Sequence, residues 1–361
     1  MLFRSLSLSA KRVVIEARGD LFTVPAEKGD VRNLTNSTAS RERDPVWSPD
    51  GKWVAFLSDK SGEYQLHVIG ADGKTADRQV TKEGAGFRYQ PVWSPDSRKL
   101  AFSDGTNRLH WCDVATGKVT TIAHDPYGEI HEYAWAGDSR WVVFTQQTGA
   151  GFRTIRLYSL TDGKVTPVSN GLTDDFSPSF DPDGRYLYFL SRRTFTPEFG
   201  GFELAMHFSA TDKVYAMSLR DSTLSPVAPE SDEEVGGGDD AEGDKADAKA
   251  DAKDKAKAKD KAPEPSVHID LAGLGNRVAE LPIPAGRYAG LSATHGKVVY
   301  LSLAESPDDE GNAPVDLHFF DLTEREDKTV LQGIDGSYAL SKDGAKVLYR
   351  KDDTFGIAEL A

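Results

Sequence analysis

Cysteine is almost absent. Cys112 stands alone in 361 residues, which excludes an intramolecular disulfide framework and a cysteine metal cluster and suits a reducing compartment. Positive charge is in deficit: 43 Lys and Arg face 57 Asp and Glu, a formal net charge of −14. A general nucleic-acid binder needs a basic footprint to displace counterions from phosphates, and an anionic membrane surface asks for the same excess, so neither is an expected partner. Long hydrophobic runs are missing too. The opening MLFRSLSLSAKRVVI alternates apolar with small or charged residues and has no unbroken apolar h-region, and no later run reaches membrane-spanning length. The expected location is cytoplasmic.

Signatures of chemistry are missing as well. The chain has no Gly-x-Ser-x-Gly elbow, no His-Glu-x-x-His and no Gly-x-x-x-x-Gly-Lys-Ser/Thr, the patterns that would place a nucleophile, a zinc ion or a nucleotide phosphate. Its eight histidines are scattered, and His67, His110 and His318 fall inside strand patterns as packed or half-exposed residues. Carboxylate pairs such as Asp174-Asp175 and Asp352-Asp353 are background in so acidic a chain. Asp181-Pro182-Asp183-Gly184 lacks the ligand spacing and distal Glu of a calcium loop. The expectation is no catalytic residue, no metal and no cofactor.

What the chain does have is a repeat. Val46-Trp47-Ser48-Pro49-Asp50-Gly51 recurs as Val92-Trp93-Ser94-Pro95-Asp96-Ser97, then as Ala134-Trp135-Ala136-Gly137-Asp138-Ser139 and Ser179-Phe180-Asp181-Pro182-Asp183-Gly184. Weaker copies are Leu8-Ser9-Ala10-Lys11, Leu291-Ser292 before Gly296-Lys297, and Leu340-Ser341-Lys342-Asp343-Gly344. Steps of 46, 42 and 45 residues separate Trp47, Trp93, Trp135 and Phe180, the period of a propeller blade. Each copy is a strand, a turn and a strand. Pro presets φ, Asp bonds its own backbone and Gly or Ser takes the left-handed position, so the turn is chemically specified. Two further strands with Asp-Gly or Thr-Gly turns, as at Asp162-Gly163 and Thr116-Gly117, complete most units. Seven units of four antiparallel strands predict an all-β fold, a seven-bladed β-propeller over residues 1–361.

One step is too long: Phe180 to Leu291 is 111 residues. Between them, 231–266 is an acidic, Lys- and Ala-rich stretch, opened by Gly-Gly-Gly and closed by Pro263 and Pro265. It buries nothing and is expected to be a disordered surface insert in the fifth blade, with Val267 to Pro282 returning to that blade as a hairpin. The last unit offers strands near 337–341, 346–350 and 355–360, three rather than four.

In a propeller the first strand of each blade lines the channel, so the residues leading into it meet at one mouth. These are Arg41 and Arg43, Arg88, His131 and Arg287, with Asp174 and Asp175 breaking the pattern in the fifth unit. Converging arginines focus positive potential and grip carboxylates bidentately. The expected site is a mouth that captures or steers peptide carboxylates; surface or inter-blade ion pairs are the alternative use of the same side chains.

The Trp-Ser-Pro-Asp-Gly repeat resembles that shared by the TolB periplasmic protein, the prolyl oligopeptidase and dipeptidyl-peptidase propellers, and tricorn proteases. The opening segment is more specific: Lys11 to Pro25, Arg32-Asn33-Leu34-Thr35 and Arg41-Glu42-Arg43-Asp44-Pro45-Val46-Trp47, with Arg277 to Pro282 and Pro284-Ala285-Gly286 later, closely resemble the seven-bladed propeller of tricorn-type serine proteases. The resemblance spans essentially the whole chain outside the charged insert. It implies a parent that is a cytoplasmic homo-oligomer, in which a six-bladed propeller, this propeller, a PDZ-like domain and catalytic protease domains share one polypeptide. It further implies a propeller that filters peptides on their way to the catalytic chamber, with Arg43 and Arg88 where that family places basic channel residues. The catalytic region is not in these residues. The competing reading is a free-standing TolB-like scaffold for protein partners; a hydrolase or lectin site in the central cavity is a third.

Overall fold

The computed structural model describes residues 2–7, 10–82, 84, 86–194, 198–199, 206–207, 210–229, 266–304, 315–352 and 354–360. The expected insert 231–266 lies outside them except for Ser266. Among the described residues, seven antiparallel blade sheets follow one another along the chain, six of four strands and the last of three, in a seven-bladed propeller, and a separate two-stranded sheet pairs Glu198–Phe199 with Met206–His207 between the second and third strands of blade 5. Their first strands are Leu2–Leu6, Glu42–Trp47, Arg88–Trp93, Tyr133–Trp135, Asp175–Phe180, Tyr288–Thr294 and Tyr338–Leu340. The first strands of blades 1 and 2, 2 and 3, 4 and 5, and 5 and 6 lie beside one another, and the seventh lies beside the first; blades 3 and 4 and blades 6 and 7 are joined by shared core, so the ring closes around the channel. Blade 5 takes its third and fourth strands from Lys213–Ser218 and Val278–Glu280. Residues after Val267 reach that edge through a short 3-10 turn at Leu274–Asn276 and a single strand, not the expected hairpin.

Burial explains the strand compositions. The second strand of a blade packs on both faces against neighbouring blades, so Trp53–Ser58 and Tyr186–Ser191 read as continuous apolar runs and are buried almost throughout, the pattern of a strand covered on both sides. The outer strand Lys164–Pro167 is polar and mostly exposed. The core is divided into seven clusters, one for each blade interface. The seam between blades 7 and 1 is formed by Ala10, Val13, Ile15 and Leu348, with Phe22, Val24, Phe355 and Ile357 packed against them. A fully buried ring such as Phe102 between blades 2 and 3 contributes roughly 2–3 kcal/mol.

The repeat supplies polar joints. Ser48 Oγ donates to Asp50 and accepts from Trp53 N at 2.9 Å, while Asp50 Oδ1 accepts from Lys52 N at 3.0 Å. Ser94 with Asp96 and Ser341 with Asp343 repeat this arrangement. Trp93 Nε1 donates to Val46 O and Trp135 Nε1 to Val92 O, both at 3.1 Å, tying each blade to the one before. Trp47 donates instead to Gly51 O in its own turn.

The left-handed turn position shows why two copies depart from Gly. Ser97 and Ser139 adopt φ of 59° and 60°, a conformation that costs an L-residue roughly 1 kcal/mol. Ser97 Oγ accepts from Asp50 N, and Ser139 Oγ from Asp96 N, each at 3.0 Å in the preceding blade. The strain is offset by an inter-blade bond. At Gly344 no side chain fits, because a Cβ would lie 1.8 Å from Thr294 Oγ1 of blade 6. Ser139→Gly should therefore be close to neutral, losing bond and strain together, whereas Ser139→Ala keeps the strain and loses the bond, at about 1 kcal/mol. Urea unfolding of the two variants checks this; equal midpoints would dismiss the joint.

Blade 6 corrects the register of one weak repeat. Thr294 pairs with Lys297 across a two-residue His295-Gly296 loop, and Ala293 pairs with Val298 as Trp47 does with Val54. Ala293, not Leu291, thus occupies the Trp position, because the turn is two residues shorter than Ser-Pro-Asp-Gly allows.

Candidate functional site at the channel mouth

With that register, positions can be compared across blades 2 to 6. The residue five before the Trp position is Glu42, Arg88, Ile130, Asp175 or Tyr288, and all five are buried. The residues six and four before it flank that buried position, since side chains alternate along an extended strand. The outer tier is Arg41, Phe87, Glu129, Asp174 and Arg287; the inner tier is Arg43, Tyr89, His131, Phe176 and Ala289.

This alternation places each expected site residue. Arg41, Arg43 and His131 line one cavity of about 330 Å³ with Glu16, Asp44, Tyr89, Gln90 and Glu129. Arg88 does not line it. It is 6% exposed, donates to Tyr64 O and lies over the Phe102 ring, 5.7 Å from its centroid. Arg287 is exposed on blade 6 and is not among the residues around that cavity.

The cavity is mixed in charge. Arg43 Nε meets Asp44 Oδ2 at 3.2 Å and His131 Nε2 meets Glu129 Oε2 at 2.9 Å. Arg43 is also fixed from behind: Nη2 donates to Arg88 O at 2.8 Å, and its guanidinium carbon lies 4.8 Å from the Tyr64 centroid and 5.5 Å from that of Tyr89. Arg41 differs. Its side chain is 65% exposed, and its charged contact among the described residues is the largely buried Glu16 at 4.0 Å, the outer limit of an ion pair. Arg41 is therefore the cation of this cavity most open to a ligand carboxylate, since Arg43 is 18% and His131 50% exposed.

Channel-side backbone turns left-handed at a recurrent point, strained where the residue is not Gly. Asp44, Gln90, Ser177 and Gly290, three before the Trp position, all have φ between 48° and 59°, at bulges in their strands. The neighbouring blade holds two of these bulges through their carbonyls: Tyr133 OH donates to Gln90 O at 2.6 Å and Tyr338 OH to Gly290 O at 2.5 Å. Burial pushes both phenols above their ordinary range, so they stay protonated donors.

Blade 5 is built differently. Arg153 grips Asp174 through Nε at 3.0 Å and Nη2 at 2.7 Å. Arg192 bridges Asp174 at 3.2 Å and Asp212 at 2.7 Å. The guanidinium carbons of Arg153 and Arg192 lie 3.9 and 5.3 Å from the Phe176 ring centroid. Asp175, fully buried, accepts from Ser191 Oγ and from Arg193 Nη2 at 2.9 Å. The acidic break in the mouth is thus neutralised by Arg153, Arg192 and Arg193. Sequence spacing did not point to these residues, because they lie outside the segments that lead into first strands: Arg153 opens the third strand of blade 4, and Arg192 and Arg193 follow the second strand of blade 5. Among the described residues no group of three or more His, Cys, Asp or Glu side chains is placed to hold a metal ion.

The family model of the tricorn protease second beta propeller domain matches residues 3–361. The chain belongs to this family. Tricorn protease homolog 1 of Streptomyces coelicolor is 25% identical over 361 residues, which take in 95% of this chain and 32% of the relative. The tricorn protease homolog of Saccharolobus solfataricus is 25% identical over 209 residues, 57% of this chain and 19% of the relative. In fold, this chain resembles the crystal structure of the tricorn protease with a TM-score of 0.79 at 18% identity, covering 100% of this chain and 33% of the other. An oligogalacturonate lyase in complex with manganese gives 0.61 at 12% identity, with 99% and 88% covered. The tricorn-family propeller therefore spans only 32% of the length of the Streptomyces relative. Among the described residues no helix is long and apolar enough to cross a membrane.

The Asp174 cluster gives the tricorn-family propeller a defined acid response. Burial raises the Asp174 carboxyl, but the hydrogen bonds and charges of Arg153 and Arg192 outweigh it, and its pKa falls below the usual carboxylate value of 3.8. A depressed folded pKa stabilises above the unfolded value and loses that stabilisation as pH falls through the folded one. Asp174→Asn should cost about 2 kcal/mol at pH 7, less than a fully buried pair because the arginines are partly exposed. The gap should narrow as pH drops from 4 towards 3; denaturant midpoints at pH 7 and 3 that keep the same gap would contradict it.

Proposed function

We propose that this propeller is the non-catalytic, substrate-gating module of a tricorn-like protease, admitting peptides through its channel and steering them by their carboxylates. A channel bounded by first strands admits extended chain and rejects folded protein by size, so selection needs no chemistry in this domain. Arg41 is the capturing group, Arg43 and His131 complete the cavity, Arg287 adds a remote positive charge, and Arg88 acts from beneath by holding the Tyr64 backbone. In this proposal the partners are peptides and the PDZ-like and catalytic protease domains of one polypeptide, assembled as a homo-oligomer in the cytoplasm. Proteolysis belongs to that assembly.

The observation that supports carboxylate steering best is Arg41, exposed at the mouth and held only loosely by Glu16. A fluorescent peptide with a free C-terminus should bind the 361-residue chain about fivefold more tightly than its amide, the scale of one exposed charge pair. Arg41→Ala should remove that ratio and leave affinity for the amide unchanged. Equal binding of the two peptides by the unaltered chain would sink the reading, as would peptidase activity in the chain by itself.

A further inference from the structure

The mouth carries a second surface that carboxylate steering leaves unused. Phe87 occupies in blade 3 the position that Arg41 occupies in blade 2, and it is 54% exposed. Its ring lies nearly parallel to that of Tyr89, with an interplanar angle of 8° and centroids 6.3 Å apart, and is stacked on Tyr64 at 5.7 Å. Arg43 lies against all three rings, 6.0 Å from the Phe87 centroid.

This platform is held before any ligand arrives. Arg43 is bonded to Arg88 O, and Arg88 in turn donates to Tyr64 O. Gly105 N donates to Phe87 O at 2.9 Å and Gly86 N to Glu63 Oε2 at 3.0 Å, fixing the backbone on both sides of the exposed ring. A large apolar ring stacked on two others and flanked by hydrogen-bonded backbone is oriented in part before a ligand binds, which lowers the cost of binding. Tyr89 belongs both to the stack and to the cavity that holds Arg41. Cation and aromatic face therefore adjoin, and together they complement a carboxylate beside an aromatic side chain.

We propose that Tyr64, Phe87 and Tyr89 form a subsite for the aromatic side chain of a peptide's C-terminal residue, whose carboxylate is held at Arg41. This deepens the carboxylate-steering reading and rests on it.

The test uses the full 361-residue chain and four peptides identical except for Phe or Ala at the C-terminus, each as free acid and as amide. The unaltered chain should prefer the Phe acid over the Ala acid about fivefold, the order of one aromatic contact. Phe87→Ala should bring that preference below about twofold while the acid-over-amide ratio stays, and Phe87→Tyr should restore it. Tyr127→Ala, which removes an exposed aromatic outside the stack, should change neither ratio. Acid-over-amide discrimination without a preference for Phe would overturn the subsite and leave carboxylate steering standing. A preference surviving in Phe87→Ala, or lost equally in Tyr127→Ala, would also overturn it. Binding of none of the four peptides would overturn both.

Discussion

A propeller must join seven sheets that cannot share a backbone ladder. Each sheet is twisted, so the first strands of adjacent blades diverge and pair within their own sheets. The blades are joined by other means. Apolar side chains from the second and third strands interlock across each interface, and side chains bond to backbone groups of the next blade. Ser5 Oγ accepts from Trp47 N at 3.0 Å and Ser179 Oγ from Ala293 N at 3.1 Å, joining blade 1 to 2 and blade 5 to 6. The repeat Trp, the turn Ser and the mouth Tyr extend these joints from one end of the channel to the other.

The same joints explain the chemistry of the mouth. The position five before the repeat Trp is packed between blades, so a charge there needs internal partners. Glu42 has the hydroxyls of Ser37, Ser40 and Ser58; Arg88 has a carbonyl and a ring; Asp175 has Ser191 and Arg193. The positions on either side are free of that duty and vary from blade to blade: cationic in blade 2, aromatic in blade 3, paired acid and histidine in blade 4, clamped acid in blade 5. A near-symmetric scaffold thus carries an asymmetric rim, with different chemistry on different sides.

Much of this was legible in the chain itself. The 42- to 46-residue period, the Ser-Pro-Asp-Gly turns and the doubly buried second strands specify blade count and strand order, because turn chemistry and burial pattern are local. The three-stranded last blade was legible for the same reason. Blade 6 was read two residues out of register because its short His295-Gly296 loop replaces the motif used for alignment. Arg41, Arg43 and His131 share a cavity. Arg88 is set apart by one residue of offset, which in a strand turns the side chain to the opposite face.

By itself, then, the sequence determined the fold, the number of blades and the order of strands within most of them. Only the tertiary structure decided which charges are free. Arg153, from the third strand of the preceding blade, and Arg192, just past the second strand of the same blade, neutralise Asp174; Arg43 is committed to Arg88 and three aromatic rings, and among the described residues Arg41 has one carboxylate, 4.0 Å away. Pairing of charges depends on distances between residues brought together by blade packing, and no local pattern along the chain encodes those distances.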